Sequence, residues 1–358
     1  MSEILEKDAC GVGFLANIKG IKSHKILYDA LESLANLDHR GAVSADGKTG
    51  DGAGILTQIP YKFFEKQLKK LGIKVPSVED FAVGVFFLPK GKEESLKREI
   101  EDIINQKFKF LGWREVPINQ AEVGEIAKRT QPTILQGFIS KEGIKTENFE
   151  KDLFILRKKL EKLSLNPDYK DFYIPSLSSR TIVYKGLITA PKLRDFYLDL
   201  QDEDYETAFA IFHQRYSTNT FPNWKLAHPF RMLAHNGEIN TISANRNWLK
   251  AKEQDIREVW GDLADIILPI TNDTDSDSAS LDNAVEFLVH SGKDILTAIN
   301  VLVPRAWEND DRLTPEEKAF YEYFACIFES WDGPAAIAFT DGKIIGGKLD
   351  RNGLRPAR

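Results

Sequence analysis

The sequence predicts a mixed α/β protein, and three observations carry that reading. Between residues 61 and 205, apolar strand-like runs alternate with segments whose apolar residues recur at helical spacing. The run Phe81–Leu88 (FAVGVFFL) is strand-like throughout. Near the end, residues 335–349 read as two strands around a hairpin turn at Thr340-Asp341-Gly342. The chain has 358 residues, 42% hydrophobic and 11% aromatic, which suits one large domain or two of ~150 residues and excludes disorder as its main state.

Taken in order, residues 10–18 (CGVGFLANI) predict a strand. Ser23 is placed to cap a helix with Ile26, Leu27, Ala30, Leu31, Leu34 and Leu37 on one face, ending at Asp38-His39-Arg40-Gly41. A loop of small and acidic residues from 41 to 54 leads into a strand at 55–59. Strands follow at 81–88, 133–139 and 181–184. Helices follow at 93–108, with Leu96, Ile100, Ile103 and Ile104 aligned, and at 149–163. This stretch reads as scaffold with solvated helix faces. After the strand-like run 207–213, polar residues of special shape crowd together as far as Asn247, and again between Thr271 and Asp282, before a helix at 279–289. Such density between strands marks loops on a rigid scaffold, where binding and catalysis tend to sit.

Composition narrows the class. Lys+Arg 48 against Asp+Glu 54 gives a net charge of −6 with no strong basic block, which argues against nucleic-acid binding. The most apolar stretch is eight residues, whereas a spanning helix takes ~20, so no membrane partner is expected. The N-terminus MSEILEKDAC has neither the basic nor the apolar region of a secretory signal. Two cysteines, Cys10 and Cys326, make neither a disulfide framework nor a zinc cluster, and fit a reducing cytoplasm.

Four places carry chemistry. Cys10 follows a short polar segment and precedes Gly11, which leaves room for close approach to a nucleophile. Removal of residues 1–9 puts its thiol and a free α-amino group on one residue. An amine of pKa ~7.7–8.0 can then act as general base toward a thiol of pKa ~8.5. Gly11 to Ala16 formally matches G-x-G-x-x-A, but lacks the preceding strand and following helix that a dinucleotide site needs. Arg215, at a strand end beside Thr218 and Asn219, reads either as a core-edge ion pair or as a clamp for a carboxylate. Asn236-Gly237 is an ordinary turn sequence, and equally a side-chain amide and a backbone N–H suited to an oxyanion. The run Asn272 to Ser278 supplies helix caps and spare carboxylates. Its aspartate spacing hints at calcium but lacks the glycine and bidentate glutamate of an EF-hand.

Together these residues resemble the class II glutamine amidotransferases, and in particular the amidotransferase domain of the glutamate synthase large subunit. The resemblance runs through CGVGF at Cys10, HRGA at His39, TGDGAGI at Thr49, HQRYSTNTFP at His213, LAHNGEINT at Leu233, SDSASLDN at Ser276, WDGPAAIAFTDG at Trp331 and LDRNGLRP at Leu349. FYIPSLSSRT at Phe172, within the insertion, is similar to the synthase as well. The resemblance implies the N-terminal-nucleophile hydrolase fold: a four-layer αββα sandwich of antiparallel sheets, here with an inserted α/β stretch at about 61–205. It implies a propeptide at 1–9 and an amidotransferase domain over 10–358.

By position, Cys10 matches the nucleophile, Asn236 and Gly237 the oxyanion hole, and Arg215 the group that binds the substrate α-carboxylate, with Thr218 and Asn219 beside it. Asp277 matches the carboxylate for the α-ammonium, although Asp275 and Asp273 leave the register open. Arg40 and residues 51–54 line the pocket. The implied activity is release of ammonia from L-glutamine through a γ-glutamyl thioester. The ammonia passes to synthase domains or subunits that aminate 2-oxoglutarate with FMN and an iron–sulfur cluster, while this chain carries no cofactor and no metal. The family's domain continues with further strands past Arg358, which predicts an unpaired strand edge near 340–349. It also leaves, as the alternative, a non-catalytic partner domain of a synthase.

Overall fold

The computed structural model describes residues 11–215 and 223–355. Among them are eleven strands: β1 (Val12–Ala16), β2 (Thr49–Gln58), β3 (Phe81–Leu88), β4 (Lys109–Glu115), β5 (Thr133–Ser140), β6 (Tyr173–Ser178), β7 (Thr181–Ile188), β8 (Phe209–Gln214), β9 (Leu233–Gly237), β10 (Ala335–Thr340) and β11 (Ile345–Leu349). They form three sheets, ordered β1-β8-β2-β7, β4-β5-β3-β6 and β11-β10-β9, with every ladder antiparallel. β11 takes an edge position beyond β10.

The side-chain period of two explains how the sheets stack. In β8, Phe209 and Ile211 face inward with Leu56 of β2 and Val183 of β7, where they meet Ala234 of β9 and Ala338 of β10. The small alanines let the two sheets approach closely. On the other face of the first sheet, Ala210, Phe212, Ile55 and Tyr184 pack with Leu27, Leu31 and Leu34 of the helix His24–Ala35. On the other face of the third sheet, Leu233, Ala335, Ile337 and Phe339 pack against Leu281, Ala284, Val285 and Leu288 of the helix Asp277–His290. Each of the buried leucine, isoleucine, valine and phenylalanine side chains among these contributes roughly 1.5–3 kcal/mol of transfer free energy.

The middle of the chain builds on this arrangement. All eight residues of β3 are buried. Phe81, Val83, Val85 and Phe87 join the core of the first sheet, while Ala82, Phe86 and Leu88 pack on Leu96, Ile100 and Ile104 of the helix Glu93–Asn105 and Leu153, Leu156 and Leu160 of the helix Phe149–Glu161. A strand covered on both faces needs an unbroken apolar run, which is what the sequence supplies. Within the helix Phe149–Glu161, Arg157 is buried and donates to Glu161 and to Glu286 of the helix Asp277–His290, which fastens this middle region to the third sheet's side.

Three expectations change. The strand placed at 55–59 begins at Thr49, because residues 49–54 pair with β7 and β8 across a bulge at 50–52, and Ile59 falls outside it. Ser23 stands at the N-cap of its helix, but its side chain makes no capping bond and its backbone bridges Thr207 instead. Asn236-Gly237 is not a turn: the two residues end β9, opposite Ala336 and Ala335 of β10.

Candidate active site

The site is built where β1 begins and β8 and β9 end. Gln214, the last residue of β8, donates its backbone N–H to the Gly11 carbonyl at 2.7 Å, so this end of the ladder runs one residue past Cys10 in sequence. The next residue, Arg215, has φ +110, the one left-handed backbone among the described non-glycine residues. Such a conformation costs on the order of 1–3 kcal/mol and persists only where its surroundings hold it. Here they do. The Arg215 N–H donates to the Gly52 carbonyl at 2.7 Å. Its own carbonyl accepts from His213 Nδ1 at 2.9 Å. The Arg215 side chain is half exposed, with Nε 4.0 Å from the nearly buried Asp51 carboxylate. Asp51 accepts from the Ala42 N–H at 2.9 Å, and burial pushes its carboxyl above the usual range.

β9 delivers the second half. The Asn236 side-chain amide nitrogen stands 3.3 Å from the position a Cβ on Gly11 would take. A Cβ on Gly237 would fall 1.7 Å from the Pro334 carbonyl oxygen, so only glycine lets β9 and the start of β10 come this close. Beyond it, Glu238 N–H donates to that same carbonyl at 2.9 Å, and Ile239 N–H donates to Asp277 Oδ2 at 2.9 Å. Asp277 is buried at the first turn of its helix, and its other oxygen accepts from Ser278 N–H at 2.7 Å. Ser278 Oγ in turn meets His235 Nδ1 at 2.8 Å. The helix N-terminus therefore grips β9 on both sides of Asn236-Gly237. Ser276 caps that helix by accepting from Ala279 N–H at 3.1 Å. Arg246 crosses to the carbonyls of Asp273, Asp275 and Ser276 and fixes the preceding loop.

One turn deeper, the fully buried Asp282 carboxylate accepts from the backbone N–H groups of Met232 (2.8 Å), Leu233 (3.2 Å) and Arg231 (3.3 Å), the segment that leads into β9. The Arg231 guanidinium lies 3.7 Å away, yet burial dominates and the Asp282 carboxyl is pushed up to about 6. Three imidazoles fill the space between β8 and β9. His213 and His228 stack with centroids 4.3 Å apart, and the His235 N–H points at His228 Nδ1 at 3.4 Å. Burial holds all three neutral, with His213 lowered to about 3.

Residues 10–358 match the family model described as glutamine amidotransferases class-II. The chain belongs to that family. It is 46% identical over 359 residues to the glutamate synthase [NADPH] large chain of Bacillus subtilis (strain 168), a match covering 99% of this chain and 23% of the relative. It is 46% identical over 360 residues to the ferredoxin-dependent glutamate synthase of Pyropia yezoensis, covering 99% and 23%. With the glutamate synthase [NADPH] large chain of Azospirillum brasilense the figures are 45% over 359 residues, 99% and 24%. The chain thus spans about a quarter of the length of the curated relatives it matches.

In this amidotransferase chain, Arg215, Asn236, Gly237 and Asp277 gather at one end of the two sheets through the bonds above. Cys10, Thr218 and Asn219 lie outside the described residues. Of the three aspartates between 273 and 277, Asp277 is the one bonded to the segment after Gly237; Asp273 pairs with Lys250 at the surface. Arg40 is exposed, although its neighbour Gly41 lies against Gln214, whose Nε2 would be 1.8 Å from a Cβ there. Among the described residues no group of three or more His, Cys, Asp or Glu is arranged to hold a metal ion, and no helix is long and apolar enough to cross a membrane. The sequence reading missed His213, His228, Ser278 and Asp282 as parts of the site's support. His213, Ser278 and Asp282 stood inside quoted motifs, but nothing local tied Asp282 to residues 231–233.

Proposed function

We propose that this chain hydrolyses the side-chain amide of L-glutamine on Cys10 and supplies ammonia to a glutamate synthase. The observation that carries the proposal is the placing of the Asn236 amide against Gly11, one residue after Cys10, with Arg215 and Asp277 on the flanking segments. In this reading residues 1–9 are a propeptide, and 10–358 are the amidotransferase domain with residues 61–205 inserted. A four-layer αββα sandwich is supported by helices packed on the outer faces of two sheets that meet across Ala234 and Ala338.

The chemistry follows from the groups. The α-amino group of mature Cys10 takes the thiol proton, and the thiolate attacks the carboxamide carbon. The tetrahedral oxyanion is held by the Asn236 side-chain N–H and the Gly237 backbone N–H. The ammonium at Cys10 returns its proton to the departing ammonia, leaving a γ-glutamyl thioester. Water then adds, and glutamate and the thiol are released. Arg215, with Thr218 and Asn219 beside it, binds the α-carboxylate, and Asp277 the α-ammonium.

The synthase role rests on the relatives' names, so FMN and an iron–sulfur cluster belong to domains outside this chain. A cytoplasmic setting is part of the same proposal, although one Arabidopsis thaliana relative is named chloroplastic/mitochondrial.

The test begins with the intact mass of the protein expressed in a bacterial cytosol, followed by glutamine turnover and labelling with a glutamine-analogue electrophile. Loss of residues 1–9, turnover, and label on Cys10 are expected. A retained propeptide with label on the exposed Cys326 overturns the proposal and leaves a non-catalytic partner domain.

A further inference from the structure

We infer that His213 is a positioning residue for substrate recognition: its neutral imidazole donates Nδ1–H to the Arg215 carbonyl and so fixes the strained backbone that aims the carboxylate-binding guanidinium. The inference rests on the glutamine-hydrolysing reading and assigns to the same site a residue that never touches substrate.

Three observations support it. Arg215 adopts φ +110, which an L-residue leaves unless held. Two bonds hold it, and they act on opposite sides of the residue. Gly52 takes the N–H, and His213 supplies the only donor shown to the carbonyl among the described residues. A carbonyl only accepts, so the His213 proton must sit on Nδ1. Nε2 is then the unprotonated nitrogen, buried near the His235 backbone and closing no hydrogen bond among the described residues, so the Nδ1 bond to Arg215 is the one the ring completes.

Charge and packing agree with that task. His213 is 2% exposed, and burial lowers its pKa to about 3, so the ring stays a neutral donor across the working range. It stacks on His228, whose Nδ1 faces the backbone N–H of His235, the residue before Asn236. The stack therefore joins the strand bearing the oxyanion donor to the carbonyl of the substrate-clamping arginine. Without the Nδ1–H bond, Arg215 is free to relax toward negative φ, and the half-exposed guanidinium swings with it.

Two variants of the mature full chain separate this role from simple packing. His213→Asn keeps a donor near the Nδ1 position and loses the ring. His213→Phe keeps a ring to stack on His228 and loses the donor. His213→Phe is expected to raise the KM for glutamine roughly 10–100-fold, the scale of a misdirected charge-assisted clamp, with kcat within about threefold. His213→Asn is expected to hold KM within about threefold of wild type. The penalty in His213→Phe should also vanish for 4-aminobutanamide, which lacks the α-carboxylate. A packing role reverses the order, with phenylalanine benign and asparagine damaging, and overturns the inference while glutamine hydrolysis by the wild type stands. Wild-type protein with no glutaminase activity overturns the underlying reading and the inference with it. Thermal unfolding of both variants reports whether each is folded, and a folded His213→Phe with unchanged KM also overturns the inference.

Discussion

Replacing Gly237 by alanine is expected to abolish most of the activity while leaving the protein folded. The added Cβ would lie 1.7 Å from the Pro334 oxygen, where real Cβ atoms stay beyond 3.0 Å, so the strand end and residue 334 must part by about 1.3 Å. That shift breaks the Glu238–Pro334 bond, worth about 1 kcal/mol, and moves the Gly237 N–H with it. A misplacement of ~1 Å in a catalytic group costs on the order of 100-fold. Scaling ~2.1 cal/mol/K per residue to 358 residues gives an unfolding entropy of about 0.75 kcal/mol/K, so a loss of 1–2 kcal/mol lowers Tm by about 2 °C. The assay is kcat/KM for glutamine beside thermal unfolding. Gly143→Ala serves as control, since it has φ +80 in open space and carries a similar backbone cost far from the site. Gly237→Ala with kcat/KM within about threefold of wild type refutes the reasoning, as does an equal loss in Gly143→Ala.

Asn236→Ala is expected to lower kcat on the order of 100- to 1,000-fold with Tm nearly unchanged; a near-normal rate in the folded variant removes Asn236 from the oxyanion role. Asp282→Asn leaves too few acceptors for three backbone N–H groups and Arg231, at a cost of roughly 2–4 kcal/mol, so Tm should fall by about 3–5 °C, and an unchanged melting curve contradicts the assignment. Acid should destabilise the fold before carboxylates of ordinary pKa titrate. His213 and His290 are lowered to about 3, so below the ordinary ~6.5 only the unfolded chain takes their protons; stability is full above 6.5 and falls as pH drops toward 3. At pH 5 each costs roughly 2 kcal/mol, and Asp282, raised to about 6, returns roughly 1, for a net loss of roughly 3. Urea unfolding at pH 7.5 and 5.0 measures this, and a midpoint that holds or rises on acidification shows that the histidines are not buried neutral.

What the sequence made legible were the elements whose pattern is local. Phe81–Leu88 announces itself because both faces must be apolar, and Phe149–Glu161 because its stripe repeats at helical spacing. Elements defined by distant partners stayed hidden. β6 contains Pro175, β4 (KFLGWRE) shows no alternation and buries no residue fully, and β9 reads as a turn until β10, about 100 residues later, offers Ala335 and Ala336 opposite Gly237 and Asn236. The same division holds in the site. Arg215, Asn236, Gly237 and Asp277 could be proposed from motif chemistry, whereas Arg215's backbone strain, the His213–His228 stack and the Asp282 acceptor exist only once the strands are paired.

That pairing also imposes an order in time. β1, which begins two residues after Cys10 in sequence, has β8 as its ladder partner, with Phe14 opposite Ile211, 197 positions away. On a ribosome adding ~5–20 residues per second, the N-terminal strand emerges first and waits roughly 10–40 seconds before its partner exists. During that interval neither the Gly11–Gln214 bond nor the approach of Asn236 can form. The fold therefore sets an order of assembly, since the ladder that holds β1 cannot close until residue 214 has left the ribosome.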